Sequence, residues 1–386
     1  MNLSSDQKNV LDSLLSWYKD KNRSQFITLG GYAGTGKTTL ISVLREKLHK
    51  EDKKLKVAFV SYTGKAARVL RYSLEERKSL QSQDTVGTIH SLMYSPIENK
   101  RGVIVGWELR KEIFCDLIIV DEASMVDQNI WRDLLSYGKP VIAVGDHGQL
   151  PPIRGKFNLM ENPQLKLEEI HRQAKGNPII EVSIMARKQG FIPHGDYSRT
   201  VRKFTRTDED AREIVGDLLC NYDENTLVLC GYNNTRVKMN NYIRNSLEFE
   251  VPTPQPRDRV ICLRNNQMEK IFNGMQGTIL SIEKDDDDWY FARIQMDGEE
   301  KTYKGPISVK QFNSLTPMNF TDKRPSIMDG DLFDFGYALT VHKAQGSQSR
   351  RVILFEERFK QMDDEMWRRW LYTAVTRAQE ELYIVG

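Results

Sequence analysis

Short apolar runs alternate with helical periodicities along the first part of the chain. Residues 25–30 form an apolar run typical of a strand, and residues 39–50 carry apolar side chains at helical spacing. Further runs of strand type follow at 57–60, 116–121 and 140–145. Because strands that are apolar throughout are buried on both faces, this alternation predicts a mostly parallel sheet covered by helices.

The same alternation returns in the second half of the chain. Apolar runs of strand type lie at 226–230, 352–355 and 380–385, and helical patterns lie at 234–246 and 365–378. Strands that alternate with helices in this way predict βα units and a second α/β domain.

Two stretches interrupt this alternation. Residues 91–113 hold two short apolar runs, 92–94 and 103–105, on either side of the turn residues at 99–102, which predicts a projecting hairpin. A decorative loop and a small module for a partner both fit it. Residues 251–333 open with three prolines and continue as short alternating runs divided by turns, which predicts a small antiparallel β-barrel.

Composition adds few constraints. The 386 residues are 39% hydrophobic and 28% charged, an ordinary profile for a soluble protein. No apolar run approaches the roughly 18 residues that span a bilayer, and the first residues lack the regions of a signal peptide, so we expect a cytoplasmic protein without a membrane partner. The net charge of +3 permits a nucleic-acid partner without requiring one.

The cysteines predict neither a zinc site nor a disulfide framework. Four of them lie far apart without a CxxC pair: Cys115, Cys220, Cys230 and Cys262. We expect all four to be buried as small apolar residues.

The segment 31–38, GYAGTGKT, reads as a P-loop between a strand and a helix. Its glycines let backbone N–H groups face a phosphate, and the positive end of the helix dipole adds attraction. Lys37 would reach the β- and γ-phosphates, and the Thr38 hydroxyl would bind Mg²⁺. Tyr32 receives no role. The predicted nucleotide-binding residues are Gly34, Thr35, Gly36, Lys37, Thr38 and Thr39.

Two carboxylates follow the apolar run at 117–120. The run leads into Asp121 and Glu122 at the edge where ligands of open α/β sheets bind. A buried strand with a polar cap would look similar, but the upstream P-loop favours catalysis, with Asp121 holding Mg²⁺ through water and Glu122 activating the attacking water. After the next strand, Gln149 could sense the γ-phosphate, and His147 is predicted to be a solvated loop residue.

Eight motifs together resemble a known family. GYAGTGKT, SYTGKAA, TIH, IIVDEAS, GDHGQL, IHRQ, ALTVHKAQGSQ and LYTAVTRA occur in the order and spacing of superfamily 1 helicases. The chain is similar to their B subgroup, typified by RecD and Dda, over nearly its whole length, from Gln7 to Arg377.

The resemblance implies two RecA-like domains, with ATP and Mg²⁺ in the cleft between them. The implied limits are 1–170 for the first domain, 171–250 with 334–386 for the second, and 251–333 for the inserted barrel. Gln7 would read the adenine, and Arg172 and Arg377 would act as arginine fingers. Hydrolysis would drive movement 5′-to-3′ along single-stranded DNA.

The resemblance also implies the DNA contacts and the partners. Residues expected at the DNA backbone are Thr63, Lys65, Thr88, His90, Asn234, Thr340, His342, Lys343 and Gln345. The hairpin would be the wedge that splits duplex DNA. The implied partners are single-stranded and forked duplex DNA, with replication or recombination proteins, for a chain that acts as a monomer.

Two other functions fit parts of the same sequence. The hairpin tip at 99–102 has no aromatic residue to stack on a base, which favours a translocase that displaces proteins from DNA with little unwinding. A protein that binds single strands with a degenerate ATP site is the other alternative, although the intact P-loop and carboxylates oppose it.

Overall fold

The structure is a computed structural model that describes residues 3–98, 104–152, 157–169, 176–266, 268, 269, 271–316, 318 and 330–386. The chain divides into two compact units, Met1–Ile180 and Glu181–Gly386. Both contain a largely parallel sheet with helices, so the predicted α/β class is confirmed. The predicted boundary between residues 170 and 171 lies outside the described residues, and the domain limits stay a prediction.

The first unit is built on a six-stranded parallel sheet with the order β3-β2-β6-β7-β1-β8. Its elements are α1 Ser5–Lys19, β1 Phe26–Gly31, α2 Lys37–Glu51, β2 Val57–Ser61, α3 Gly64–Glu76, β3 Thr85–Thr88, α4 Ile89–Met93, β4 Tyr94–Glu98, β5 Ile104–Leu109, β6 Leu117–Asp121, α5 Gln128–Leu135, β7 Val141–Gly145 and β8 Leu165–Leu167.

The continuous apolar runs form the centre of this sheet. Every residue of β2 and β7 is buried, as are the four apolar residues of β6. Burial on both faces explains why these strands lack the alternation of a half-exposed strand. One apolar cluster joins α1 and α2 to one face of the sheet, and a second joins α4 and α5 to the strands.

A buried ion pair fixes α2 against the sheet. The side chains of Arg45 and Asp84 are both fully buried, and their two hydrogen bonds are 2.8 and 2.9 Å long. Asp84 also accepts from the backbone N–H groups of Val57 and Gln81. The carboxylate therefore holds the P-loop helix, the start of β2 and the segment before β3 in one arrangement.

The segment 91–113 contains an antiparallel pair, β4 and β5, whose tip at 99–103 lies outside the described residues. The predicted first strand at 92–94 is wrong, because residues up to Met93 belong to α4 and the strand begins at Tyr94. Tyr94 donates from its hydroxyl to Asp133 on α5 at 2.7 Å, which anchors the base of the pair. Its role as a wedge stays a prediction.

The second unit contains a sheet with the order β17-β11-β18-β19-β10-β9, parallel except for β9. The elements from the unit boundary onward are α6 Pro178–Gln189, β9 Gly195–Asp196, β10 Val201–Phe204, α7 Glu209–Cys220, β11 Thr226–Cys230, α8 Asn233–Ser246, β12 Arg259–Cys262, β13 Gln276–Lys284, β14 Trp289–Met296, β15 Tyr303–Ser308, β16 Phe333–Phe335, β17 Ala338–Thr340, β18 Ser349–Phe355, α9 Asp364–Val375 and β19 Ala378–Val385.

The segment from β12 to β16 forms a separate antiparallel sheet with the order β15-β14-β13-β12-β16. The outer strand β15 is hydrogen-bonded to Asp331, which lies just before the other outer strand, β16. The Asp331 N–H donates to the Pro306 carbonyl at 2.8 Å, and the Ser308 N–H donates to the Asp331 carbonyl at 3.1 Å. Two buried arginines of α8 hold both of its connections, Arg236 through Asp334 and Arg244 through Asp258. The limits of the predicted barrel stay a prediction.

The cysteine prediction is wrong at one position. Cys115, Cys230 and Cys262 are buried free thiols, but Cys220 is exposed because it lies in the last turn of α7, where the helix surface faces solvent. Within the described ranges, no helix has the length and apolar character needed to cross a membrane.

Candidate functional site

The P-loop begins where β1 ends at Gly31 and closes where α2 begins at Lys37. Gly34 and Gly36 have φ values of +80° and +78°, which side chains disfavour, so glycine is needed for the turn. The Lys37 Nζ donates to the carbonyls of Gly31 at 2.7 Å and Tyr32 at 3.1 Å. The ammonium group therefore lies inside the loop that a phosphate would fill.

Strand order brings the candidate residues to one edge of the sheet. Because β6, β7 and β1 are parallel neighbours, their carboxyl ends meet at the same edge. Asp121 ends β6, Asp146 follows β7, and the P-loop follows β1. Burial raises the pKa of Asp121, and the charge of Lys37, which is close enough to act on this carboxylate, opposes the rise.

Asp121 and Glu122 form a half-buried pair of carboxylates. Glu122 has a φ of +53°, which is uncommon for a residue with a side chain, and its N–H donates to the Asp121 Oδ1 at 3.0 Å. Burial, followed by the Glu122 charge, raises the pKa of Asp121 to about 7. Strain and a raised pKa at one sheet edge indicate a functional site.

The oxygen atoms at this edge fit a magnesium ion. Among the described residues, the Glu122 Oε2 and the hydroxyls of Ser61 and Ser124 are buried polar atoms without a hydrogen-bond partner. Ser61 ends β2 directly beside Asp121. Mg²⁺ prefers carboxylate oxygens and water, so a hydrated ion would satisfy groups that are costly to bury alone. The predicted ligands are Thr38, at the start of α2, and Asp121.

Gln149 is held by the turn that follows β7. The buried Asp146 carboxylate accepts from the Gly148 N–H at 2.9 Å and from the Gln149 Nε2 at 3.3 Å. The prediction that His147 is a solvated loop residue is wrong. Its ring is half-buried and lies against the Tyr32 ring, with 4.0 Å between ring centroids.

Gln7 joins α1 to the P-loop. It is 1% exposed, its Nε2 donates to the Thr35 carbonyl at 3.0 Å, and its Oε1 accepts from the Ser4 N–H in a capping box. These bonds place the amide at the loop. The predicted reading of adenine by Gln7 stays a prediction.

The predicted DNA contacts of the first unit lie at the neighbouring end of the same sheet. Thr63 follows β2, and Thr88 ends the adjacent strand β3. The Thr63 side chain accepts a backbone N–H as the N-cap of α3, and the Thr88 side chain does the same for α4. A hydroxyl that accepts in a cap can still donate to a phosphate. Lys65 lies in the first turn of α3. Burial lowers the pKa of His90, which favours its neutral form.

The predicted DNA contacts of the second unit follow strands β11 and β17, which end side by side. Asn234 is exposed in the first turn of α8, and Thr340 ends β17. The Lys343 Nζ donates to the Asn273 Oδ1 at 3.1 Å, while Gln345 is 6% exposed. His342 lies in the same turn, and burial lowers its pKa.

Arg377 is 2% exposed between α9 and β19. Its guanidinium donates to the carbonyls of Thr373 at 2.9 Å and Ser347 at 3.1 Å, which ties the end of α9 to the turn after β17. Its role as an arginine finger stays a prediction. The other predicted finger, Arg172, lies outside the described residues.

Sequence reasoning missed three residues of these sites. Ser61 and Asp146 both lie within quoted motifs, but their roles depend on strand register and turn geometry that the motifs do not reveal. Asn273 lies 70 residues from Lys343 in sequence, so only the fold brings the two together. The signal for Asn273 in the sequence is its place in the Asn-Gly turn at 273–274.

Comparisons with known proteins agree with this geometry. The AAA domain family matches residues 2–210, and the UvrD-like helicase C-terminal domain matches residues 335–385. The chain is 27% identical over 412 residues to the ATP-dependent RecD2 DNA helicase of Deinococcus radiodurans, covering 100% of this chain and 49% of that protein. It thus spans about half the length of that relative.

A second relative matches end to end. The chain is 24% identical over 458 residues to the ATP-dependent DNA helicase dda of Enterobacteria phage T4, covering 99% of each. The fold is shared with the crystal structure of Pif1 helicase from Bacteroides in complex with ADP-AlF3 and ssDNA, with a TM-score of 0.54, 18% identity and coverage of 100% of this chain and 92% of that one.

Proposed function

Because the chain belongs to the AAA domain family, and within it to the superfamily 1B helicases typified by RecD and Dda, we propose that it is an ATP-dependent DNA helicase. It moves 5′-to-3′ on single-stranded DNA and separates duplex ahead of it. The observation that carries this proposal is the sheet edge in the first unit. There Lys37, the carboxylates of Asp121 and Glu122, and Gln149 lie at or after the ends of neighbouring parallel strands.

Each residue of this edge has a chemical role in the proposal. The backbone of the P-loop and Lys37 hold the phosphates of ATP. Thr38 and Asp121 would hold Mg²⁺, which would neutralise phosphate charge. Glu122 accepts a proton from the attacking water, and Gln149 donates its amide to the γ-phosphate. Arg172 and Arg377 complete the charge stabilisation, as arginine fingers do in other nucleotide hydrolases.

Single-stranded DNA is the second ligand in the proposal. The turns that follow β2, β3, β11 and β17 carry hydroxyl, amide and ammonium groups. Such groups bind backbone phosphates without reading sequence. The position of these turns supports this part of the proposal. Each turn lies at the carboxyl edge of a parallel sheet, where loops bind ligands. Partners among replication or recombination proteins, and action as a monomer, are part of the same proposal.

ATP turnover with and without single-stranded DNA tests this proposal. We expect turnover that depends on Mg²⁺, rises at least about tenfold with DNA, and falls by about 10²–10³ in Lys37→Ala. Turnover that ignores DNA would contradict the DNA-driven motor. The absence of turnover in the wild-type chain would favour a single-strand binding protein with an inactive ATP site.

A translocase with little unwinding is the second candidate. The sequence at 99–102, NKRG, has no aromatic residue, and Trp107 on β5, which pairs with Pro96, is 39% exposed. Displacement of streptavidin from either end of a biotinylated single strand measures translocation without unwinding. Displacement from the 3′ end alone supports 5′-to-3′ movement, and displacement from the 5′ end alone contradicts it.

A further inference from the structure

Two aromatic rings connect the P-loop with the turn that carries Gln149. The rings of Tyr32 and His147 have their centroids 4.0 Å apart and their planes at 46°. Strand register produces this contact, because Gly30 on β1 pairs with Gly145 on β7 and both chains continue two residues further. Neither ring has a role in the proposed hydrolysis so far.

Gly30 makes room for the contact. A Cβ atom at this position would lie 2.8 Å from the His147 Nδ1 and 2.4 Å from the Pro163 Cγ. Real side chains do not approach that closely, so only glycine lets the imidazole lie over the end of β1. The half-buried His147 ring is therefore confined between the backbone of one strand and the Tyr32 ring.

The Tyr32 backbone is coupled to the lysine of the P-loop. Its carbonyl accepts from the Lys37 Nζ at 3.1 Å and from the Thr35 Oγ1 at 2.9 Å. A phosphate in the loop would compete with this carbonyl for the Lys37 ammonium group. The bonds that hold Tyr32 are therefore among those that a phosphate would change.

His147 is coupled in the same way to Gln149. It follows Asp146, whose carboxylate accepts from the Gly148 N–H and the Gln149 Nε2, so the ring belongs to the turn that orients Gln149. The Gln149 N–H also donates to the Asp146 carbonyl at 3.2 Å. A displaced ring moves the whole turn, because these bonds close it.

We infer that the contact between Tyr32 and His147 sets the position of Gln149 according to the state of the P-loop. The inference makes both rings positioning residues that act through Gln149 rather than on ATP. The inference rests on the proposed ATPase function of this site. It assigns the pair a role in the rate of hydrolysis rather than in the affinity for ATP.

A double-mutant cycle between Tyr32 and Gln149 tests this inference. The variants Tyr32→Ala, Gln149→Ala and their combination are compared by DNA-stimulated ATP turnover. We expect Tyr32→Ala to lower kcat about tenfold while the KM for ATP changes less than about twofold. Added to Gln149→Ala, it should lower kcat by less than about twofold, because its effect passes through the glutamine.

Conservative and control variants separate this role from a structural one. Tyr32→Phe keeps the ring and should restore most of the turnover, and His147→Ala should match Tyr32→Ala. Tyr242→Ala is the matched control, since Tyr242 is a 43% exposed tyrosine of the second unit. If thermal unfolding shows that Tyr32→Ala does not fold, Tyr32→Leu replaces it in the cycle.

Two results would overturn the inference. In the first, the effects of Tyr32→Ala and Gln149→Ala multiply, so the ring acts independently. In the second, Tyr32→Ala raises the KM with kcat unchanged, so the ring binds nucleotide. Either result leaves the proposed ATPase intact as long as the wild-type chain turns over ATP, whereas a wild-type chain without turnover contradicts the proposed function itself.

Discussion

Replacing Glu122 with glutamine should have opposite effects on turnover and stability. The side chain keeps its shape but loses its charge and its capacity to accept a proton. In the structure Glu122 is half-buried beside Asp121 and its backbone is strained at a φ of +53°. Its Oε2 atom is buried and has no hydrogen-bond partner among the described residues. A carboxylate in this setting is costly for folding and useful for catalysis.

The loss of turnover follows from the role of a general base. Positioned bases contribute about 10²–10⁴ in rate, so we expect kcat of Glu122→Gln to fall by that factor, or about 3–5 kcal/mol. The KM for ATP and the affinity for single-stranded DNA should change less than about threefold, because neither depends on the proton transfer. ATP turnover at saturating DNA measures the effect.

The gain in stability follows from the pKa of Asp121. Burial and then the Glu122 charge raise it from 3.8 to about 7, so an ionised Asp121 destabilises the folded state at pH above 7. This cost is absent below pH 3.8, grows as pH rises and levels off above 7. Removing the Glu122 charge should return about 1 kcal/mol, or about 2–4 °C in Tm for a unit of this size.

Thermal unfolding in EDTA without nucleotide checks the second effect. We expect Glu122→Gln to raise the Tm more at pH 8 than at pH 5, where Asp121 is protonated in the folded state. Glu76→Gln is the matched control, since Glu76 is an exposed carboxylate on α3, and it should leave the Tm unchanged. A lower Tm for Glu122→Gln than for wild type at pH 8 would contradict the predicted cost of the Glu122 charge. A kcat within threefold of wild type would contradict its role as the general base.

Three further predictions concern the P-loop, the core and the DNA contacts. Lys37→Ala should lower DNA-stimulated ATP turnover, measured as phosphate release, by about 10²–10³. The Kd of this variant for single-stranded DNA should stay within about twofold of wild type, because the Lys37 ammonium group lies inside the P-loop. Weaker DNA binding by the variant would contradict this prediction. Asp84→Ala should destabilise the first unit by about 3–5 kcal/mol in urea unfolding, because it leaves the fully buried Arg45 without its partner. Asp84→Asn should destabilise it less. Urea midpoints of Asp84→Ala and wild type that are equal would show that the ion pair contributes nothing to stability. Lys343→Ala should weaken binding to all single strands alike and reduce the slope of log K against log salt by about 1. A slope equal to that of wild type would show that Lys343 does not contact a phosphate.

Sequence patterns predict the centres of the two parallel sheets but not their edges. Strands β2, β6, β7 and β11 are recognisable because burial on both faces requires uninterrupted apolar residues. Four short strands are not predicted: β3, β8, β9 and β10. Each has two to four residues, too few to show a repeating pattern of apolar and polar residues. Their pairing is decided by neighbouring strands rather than by their own composition.

The candidate site divides in the same way. The P-loop, Asp121 and Glu122 are predictable because phosphate binding and hydrolysis need particular residue types at fixed spacing. The contact of His147 with Tyr32 is not, because it depends on the register of β1 and β7 and on the absence of a side chain at Gly30. The capping role of Thr63 likewise depends on where α3 begins.

Unwinding of forked DNA with a single tail tests the central proposal most directly. Two forks of the same duplex, one with a 5′ single-stranded tail and one with a 3′ tail, are incubated with ATP, Mg²⁺ and either the wild-type chain or Lys37→Ala. We expect strand separation on the 5′-tailed fork alone, and none with Lys37→Ala. Separation on the 3′-tailed fork alone would contradict the direction of movement. Separation on neither fork, while single strands still stimulate ATP turnover, would contradict the helicase activity.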